Sequence, residues 1–526
     1  MAVTMRRAPA GTEHPAGRGK QHRSGSLDGV WLAIAAVYPF VVLNFGTLQV
    51  DDGDFWWTLA LGRATWLAGA LPALDPLPYT STPSPYLQAQ WLAGLLFYAT
   101  YQLAGLAGLI VLRAVMVGAA FALLYVGGRR AGAAPALAGL CTLLALPLVN
   151  VGLSLRPQIL ALVPFLLYLE GTRRPLAAGR ALYLLPLVMV FWANVHGSFL
   201  FGLLLVGLAL LVRLLDLGRA RRLRDATKDG EARALAMLLL LSVLAPLVNP
   251  YGLGFLAYLR DYLAVNPGHL AVGGLLTEWL PTSLARPGGV PYLSSAVALV
   301  VLLYANGWCR TGSAHGALGL GTAEAVRLLV FAGLALRWIR AIVWWGLVLP
   351  APLAGLLQRL LIGAPAGPAS PGRPALNRLV LGLTLAVAVG SLPWWRTVVP
   401  GIPPEARAIV EPSPLAGAAD LVLPAERAGQ VFHYVAWGGY LAWRLGPSQR
   451  IFVDGRFEAY RPEVFDDYSH ISAAEPGWEL RLARYGVGQL VLSRSGQGAL
   501  VDAVARSPAW QPVYERGDVA VYRAGT

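Results

Sequence analysis

Lysine, cysteine and charge are all scarce in this chain of 526 residues. Its only lysines are Lys20 and Lys228, and its only cysteines are Cys141 and Cys309. Both cysteines lie within or beside apolar segments, so neither a disulfide framework nor a cysteine metal site is indicated. Charged residues make up 13% of the chain against 56% hydrophobic, with a mean hydropathy of +0.55. That balance excludes an ordinary soluble globular protein and describes a polytopic membrane protein. No repeat of fixed period is present. No small-residue cleavage site follows the first apolar run, which therefore reads as an anchor and not as a removed signal peptide. The net charge of +14 does not imply a nucleic-acid partner, because the arginines sit in short loops between apolar segments, where they set membrane orientation.

Apolar runs suited to spanning helices lie near 29–50, 107–127, 132–150, 157–171, 181–195, 198–217, 233–249, 290–308, 319–336, 341–361 and 377–394, about 11 in all. The stretch 91–104 reads either way. If it spans, Arg129, Arg130, Arg173, Arg174, Arg180 and the cluster from Arg219 to Lys228 fall opposite the basic N-terminus. If it lies along the interface, they all join that terminus on the cytoplasmic side, and this is the reading adopted. The expected organisation is then a cytoplasmic basic tail (1–28) and a helical membrane module (29–394) with outer loops 51–90 and 249–289. An extracytoplasmic domain (395–526) follows. In the last segment, patterns such as "GQVFHYVAWGGYLAWRL", "RIFVDGRFEAY", "YGVGQLVLSRS" and "WQPVYERGDVAVYRA" read as short strands among helical stretches, a small α/β domain.

This topology gathers the polar groups on the outer face. Asp51, Asp52 and Asp54 open the first outer loop, followed by Trp56, Trp57 and, further on, Asp75. A solvated loop start with an aromatic belt explains them as well as a function does. Three acids within four residues nevertheless repel one another and gain from a cation or a basic partner, and carboxylates are natural general bases. Arg156 and Gln158 flank Pro157 at the next outer turn, where a guanidinium binds phosphate or anchors a headgroup. Asn194 and His196 in "WANVHGS" join two spans almost without a loop, and a capping role competes there with metal or proton chemistry. Glu278 in "LLTEWLP" lies in the long outer loop, which is too apolar and aromatic for disorder. In "VAWGGYLAWRL" and "VDGR", Gly438 and Gly439 permit a tight turn or close backbone approach, and Asp454 and Arg456 form either a strand-end site or an internal ion pair. Mid-span ionisable groups, the mark of a transporter, are few, Arg113 being the main exception.

The order "DGDFWW", "LALGR", "DPLPYT", a span ending in "RR", then "WANVHG" and "LVNPYG" resembles bacterial multi-pass proteins of the GT-C glycosyltransferase superfamily. Its relatives include the protein O-mannosyltransferases, the aminoarabinose transferases and the oligosaccharyltransferase catalytic subunit. More narrowly, the chain resembles a bacterial group in which a GT-C-like module precedes a "WGGYL...DGR" domain, and the likeness runs from about residue 29 to 524. It implies a catalytic acid in the first outer loop and inverting transfer of a sugar from a polyprenyl-phosphate carrier. Asp52 and Asp54 match the first-loop acids, so one is expected as the base or as a ligand to a divalent cation (Mg or Mn). No cofactor is certain. Arg156 stands where relatives often carry a further acid, which favours phosphate contact over a metal site built from two loops. Trp437, Gly438, Tyr440, Asp454 and Arg456 loosely resemble an acceptor-reading segment. Gln90 stands where many members of the group carry an acid.

The expectation is a lipid-phosphosugar-dependent glycosyltransferase at the outer face of a bacterial cytoplasmic membrane. Asp52 or Asp54 is expected to polarise the acceptor hydroxyl, Arg156 and His196 to stabilise the leaving phosphate, and the tryptophans to seat the prenyl chain. Expected partners are the bilayer, the lipid-linked donor and an acceptor that is a glycan, a lipid or a protein. The alternatives are a non-catalytic binder or transporter of lipid-linked glycans, and a structural component of an envelope assembly.

Overall fold

The computed structural model describes residues 27–81, 87–176, 179, 181–264, 277–308, 320–367, 372–396, 398, 407–456 and 459–525. Cys309, most of the basic tail, Arg180 and residues 265–276 of the long 249–289 loop lie outside them. Among the described residues, six helices are long and apolar enough to cross a membrane: Leu27–Asn44, Trp91–Arg130, Pro135–Gly152, Gly197–Arg219, Gly230–Leu247 and Gly289–Gly307. The pair Ile339–Val348 and Pro350–Ile362, bent by 48°, makes a seventh if it is one span. The expected count of about 11 is reached only in part. The runs at 157–171, 181–195 and 377–394 fold into apolar helices of 10–17 residues, shorter than the bilayer asks of a straight helix.

The elements that position the site are α1 (Leu27–Asn44), α2 (Gly53–Ala68), α3 (Trp91–Arg130), α4 (Leu162–Gly171), α5 (Thr322–Arg337), α6 (Ile342–Val348), α7 (Pro350–Ile362) and α8 (Gly438–Leu445). Helix α2 begins where the first apolar run ends. Asp52 occupies its N-cap and Asp54 its first turn, which sets negative charge at the positive end of the helix dipole. Gly69, at φ 65°, closes it with a left-handed cap donating to the Trp66 carbonyl. Helix α3 leaves helical geometry once, at Gly105 with φ 63° and ψ −162°. Only glycine adopts such a backbone cheaply, so 91–104 and the run after it are two helices set end to end at a kink.

A four-stranded sheet is formed by β1 (Gln430–His433), β2 (Val487–Ser493), β3 (Trp510–Arg516) and β4 (Val519–Ala524) in the order β1-β2-β4-β3. β1 and β2 are parallel and the other pairs antiparallel, with β3 and β4 joined through Gly517 and Asp518. "RIFVDGR" contributes only a bridge, Ile451 to Pro78 of the 51–90 loop. The period-two alternation of the strands divides the sheet between two cores. Val431 and Val491 join the apolar cluster that also contains Trp56, Phe97 and Trp345. Phe432, Leu490 and Leu492 join a second cluster under the helices Pro462–Ser472, Trp478–Arg484 and Gly498–Arg506. Packing is therefore continuous across the expected boundary at residue 395.

Candidate functional site

Two carboxylates at the head of α2 share one guanidinium. Arg156 Nε lies 2.9 Å from Asp52 Oδ1, and its Nη1 lies 3.2 Å from Asp54 Oδ2. The sequence explains the reach. Pro157 forces the residue before it out of helical geometry, and Arg156 has φ −109° and ψ 162° ahead of the short 3₁₀ turn Pro157–Ala161. Glu278 adds a third carboxylate, 3.5 Å from Arg156 Nη1, and binds Arg340 Nη1 at 2.8 Å through its other oxygen. Arg340 lies in the turn Ile339–Ala341 between α5 and α6, and its guanidinium stacks 5.0 Å from the Trp279 ring. Backbone bonds from Thr282 to Leu336 and from Ile339 to Leu280 fasten the loop that carries Glu278 to that turn. The Arg340 turn was not among the residues expected from sequence. The available signal was an arginine flanked by Trp338 in a turn that the span order places on the same face as Arg156.

Burial raises the Asp52 carboxyl above its ordinary value, and the neighbouring Asp54 and Asp51 charges add to this against the opposing pull of Arg156. Burial also works against the Arg156 charge, but Asp54, Asp52 and Glu278 together outweigh it and push its pKa up. The pair is thus a carboxylate with raised proton affinity held by a cation that stays charged. A divalent ion does not fit this donor set. Arg156 bridges both acids, and among the described residues no group of three His, Cys, Asp or Glu side chains is arranged to hold a metal.

The other expected residues separate into those near this cluster and those that build its walls. Asp51 is exposed at the loop start. Trp56 and Trp57 face protein and not lipid: Trp56 packs edge-on against Tyr440 at 5.0 Å and donates to the Gln49 carbonyl at 2.8 Å. Trp57 donates to Asp54 Oδ1 at 3.2 Å. The tryptophan of α2 that is exposed is Trp66. Gln158 is buried beside Gly152. Asn194 is a structural clasp, accepting from Trp91 Nε1 at 2.7 Å and donating to the carbonyls of Val190 and Val248. His196 Nδ1 accepts the Ser198 backbone N–H at 3.1 Å, which leaves its proton on Nε2. Burial and the charge of Arg340 hold the ring down to about 3. His196 is therefore neutral at physiological pH, and what it can offer a ligand is an Nε2–H donor and not a positive charge.

The "WGGYL" and "VDGR" segments form the back of the site. A Cβ on Gly439 would come within 2.4 Å of the Gly53 carbonyl, and one on Gly438 within 2.2 Å of the Val453 carbonyl. Close backbone approach is thus what the glycine pair provides, and α8 seats directly on the "DDGD" turn. Tyr440 and Trp437 are buried in this packing. Arg456 is enclosed, bound to Asp454 and, at 2.8 Å, to Asp75, and it stacks 5.3 Å from the Trp57 ring. Burial raises the Asp75 carboxyl, with Arg456 opposing. Arg456 thus reaches the cluster through Trp57, which in turn holds Asp54, and the intervening Gly455 lies beside the Asp54 carboxylate.

No family model matches the chain, and a search of curated proteins finds no match. Solved structures do match in fold. The Archaeoglobus fulgidus oligosaccharyltransferase, in its apo form, aligns over 91% of this chain and 72% of its own length, at 12% identity and a TM-score of 0.50. The arabinofuranosyltransferase AftD from Mycobacteria aligns over 94% of this chain at 17% identity and a TM-score of 0.50, with 41% of its own length covered. The chain is a multi-pass helical membrane protein that shares the fold of these two structures.

Proposed function

We propose that the protein is a glycosyltransferase that moves a sugar from a polyprenyl-phosphate-linked donor to an acceptor hydroxyl at the outer face of a cytoplasmic membrane, with inversion. The observation that carries this reading is the shared guanidinium. Arg156 holds Asp52 and Asp54 at 2.9 and 3.2 Å, at the head of α2, in a fold common to two glycosyltransferases. Arg156 and Arg340 present guanidinium forks suited to a phosphate oxyanion. A donor phosphate bound there competes with the carboxylates for Arg156 and frees one of them. Asp52 is the better base, because burial raises its proton affinity. It takes the acceptor proton as the acceptor oxygen bonds to the anomeric carbon. The carbon–oxygen bond to phosphate breaks on the opposite face, and its electron pair leaves with the phosphate, stabilised by Arg156 and Arg340. Asp54, pinned by Trp57, positions Arg156.

The test is transfer of radiolabelled sugar, together with release of free polyprenyl phosphate, in proteoliposomes carrying Asp52→Asn or Asp54→Asn. Full retention of both signals in both folded variants sinks the proposal. Donor flux without product points instead to transport.

A further inference from the structure

The helices that hold the outer cluster carry a second arginine–carboxylate cluster at their other ends. Helix α4 leads away from Arg156 to Glu170 and Arg173, α5 runs from Glu324 toward Arg340, and α6 and α7 lead from Arg340 to Arg359. At 1.5 Å per helical residue the two clusters lie roughly 20–25 Å apart along the bundle. The far one surrounds a cavity of 430 Å³ lined by Arg130, Arg173, Arg174, Arg359, Glu170 and Glu324, with Gly127, Gly321 and Gly355 among the residues of its wall.

The carboxylates here are used up. Glu170 gives one oxygen to Arg173 at 2.6 Å and the other to Arg130 at 3.1 Å. Glu324 binds Arg173 at 2.5 Å and Arg327 at 3.2 Å. Four arginines and two glutamates line the cavity, so positive side chains are in excess in its wall. The N-terminus of α5 has no side-chain cap, and its dipole adds to the same field. Arginines closing the C-terminal ends of helices account for Arg130 and Arg359 one at a time. They do not account for a cavity between four helices whose lining holds twice as many arginines as glutamates.

We infer that this cavity is an anion site for a phosphate ester, on the face of the membrane module opposite the proposed transfer site. Glu170 and Glu324 hold Arg173 rigid as the floor, and Arg130, Arg174 and Arg359 present guanidinium groups to the phosphate oxygens. The phosphate belongs either to a soluble ester or to an anionic lipid headgroup at the rim. The inference does not depend on the proposed transfer reaction.

The test is thermal unfolding of the full chain in nanodiscs. In phosphatidylcholine discs, a saturable rise in Tm on titration with inorganic pyrophosphate identifies a soluble ligand. A rise seen only on adding phosphatidylglycerol to the discs identifies the headgroup. In either case Arg130→Gln/Arg174→Gln weakens the response by about tenfold or more, the loss of charge-assisted bonds, while Arg444→Gln, at an arginine outside both clusters, keeps it. Arg174→Gln alone, at an exposed position, gives the same readout if the double variant does not fold. No rise with either probe, an equal rise in the cavity variants, or loss of the rise in Arg444→Gln overturns the inference.

Discussion

Arg156 is the residue on which the proposed chemistry turns at the scale of a single side chain. It stands between two aspartates of which one, Asp52, has its proton affinity raised by burial. In the proposed reaction Asp52 must be ionised to act, so kcat/KM rises with pH through an acid limb lying above the ordinary carboxylate value. Arg156→Gln removes the charge that opposes burial, so the limb moves to higher pH while the rate falls. A pH–rate profile of both proteins reads the two effects together, and a limb that does not move argues against Asp52 as the base. Asp52→Asn is expected to lower the transfer rate by about 10²–10⁴-fold. Arg456 makes a different prediction, because it lies buried between Asp454 and Asp75. Arg456→Met strands two buried acids and costs about 3–5 kcal/mol of stability, visible as a lower unfolding midpoint. Arg456→Lys keeps the charge but loses the fork that grips both, and recovers only part of it.

At the scale of elements, the decisive contact is α8 on the head of α2. Gly439 lets the backbone at Gly53 approach to a distance no Cβ allows, and Trp56 then meets Tyr440 edge-on. Gly439→Ala pushes the two elements apart at the turn that carries Asp52 and Asp54. It should cost about 1–3 kcal/mol and reduce transfer more than an alanine placed at Gly207, where nothing lies within 4 Å. Comparing transfer rates of the two variants at matched folded fraction checks this. The glycine pair and the aspartates were both legible in the sequence as unusual features. Their meeting was not, because 385 residues separate Gly439 from Asp54 and no local pattern records that distance. The span count was legible only in part. Hydropathy marks apolar runs without showing where turns and kinks cut them into short helices, as at the 3₁₀ turn before α4.

At the scale of the whole molecule, the sheet-bearing segment and the membrane module share one apolar cluster. Removing residues 395–526 exposes Trp56 and Trp57, so the remaining module is expected to aggregate on purification and not to yield a monodisperse peak by size exclusion. The sheet also makes stability pH-dependent. His433 Nε2 accepts the Phe452 N–H at 3.1 Å, and its Nδ1 faces the Tyr434 carbonyl at 2.9 Å. Burial holds this ring down to about 4. Unfolded histidine binds a proton below its ordinary value of 6.5 while the folded ring does not. The stabilising contribution is therefore complete above 6.5 and is lost as pH falls toward about 4. His433→Gln should flatten the fall in Tm across that window, and an unchanged slope would show that other groups set it.

Composition and the spacing of apolar runs by themselves determined that this is a multi-pass helical protein, because hydropathy and chain length are local properties of the sequence. They also singled out Asp52, Asp54, Arg156, His196 and Glu278 as belonging to one face. Tertiary structure alone decided that Arg156 binds both aspartates, that Arg340 completes the cluster, and that Trp56 and Trp57 face protein. It also decided that His196 stays neutral and that Asp454 and Arg456 support the site from behind. Each of these depends on burial and on contacts between residues far apart in the chain, and proton affinity and charge pairing follow burial and distance, which local spacing does not contain.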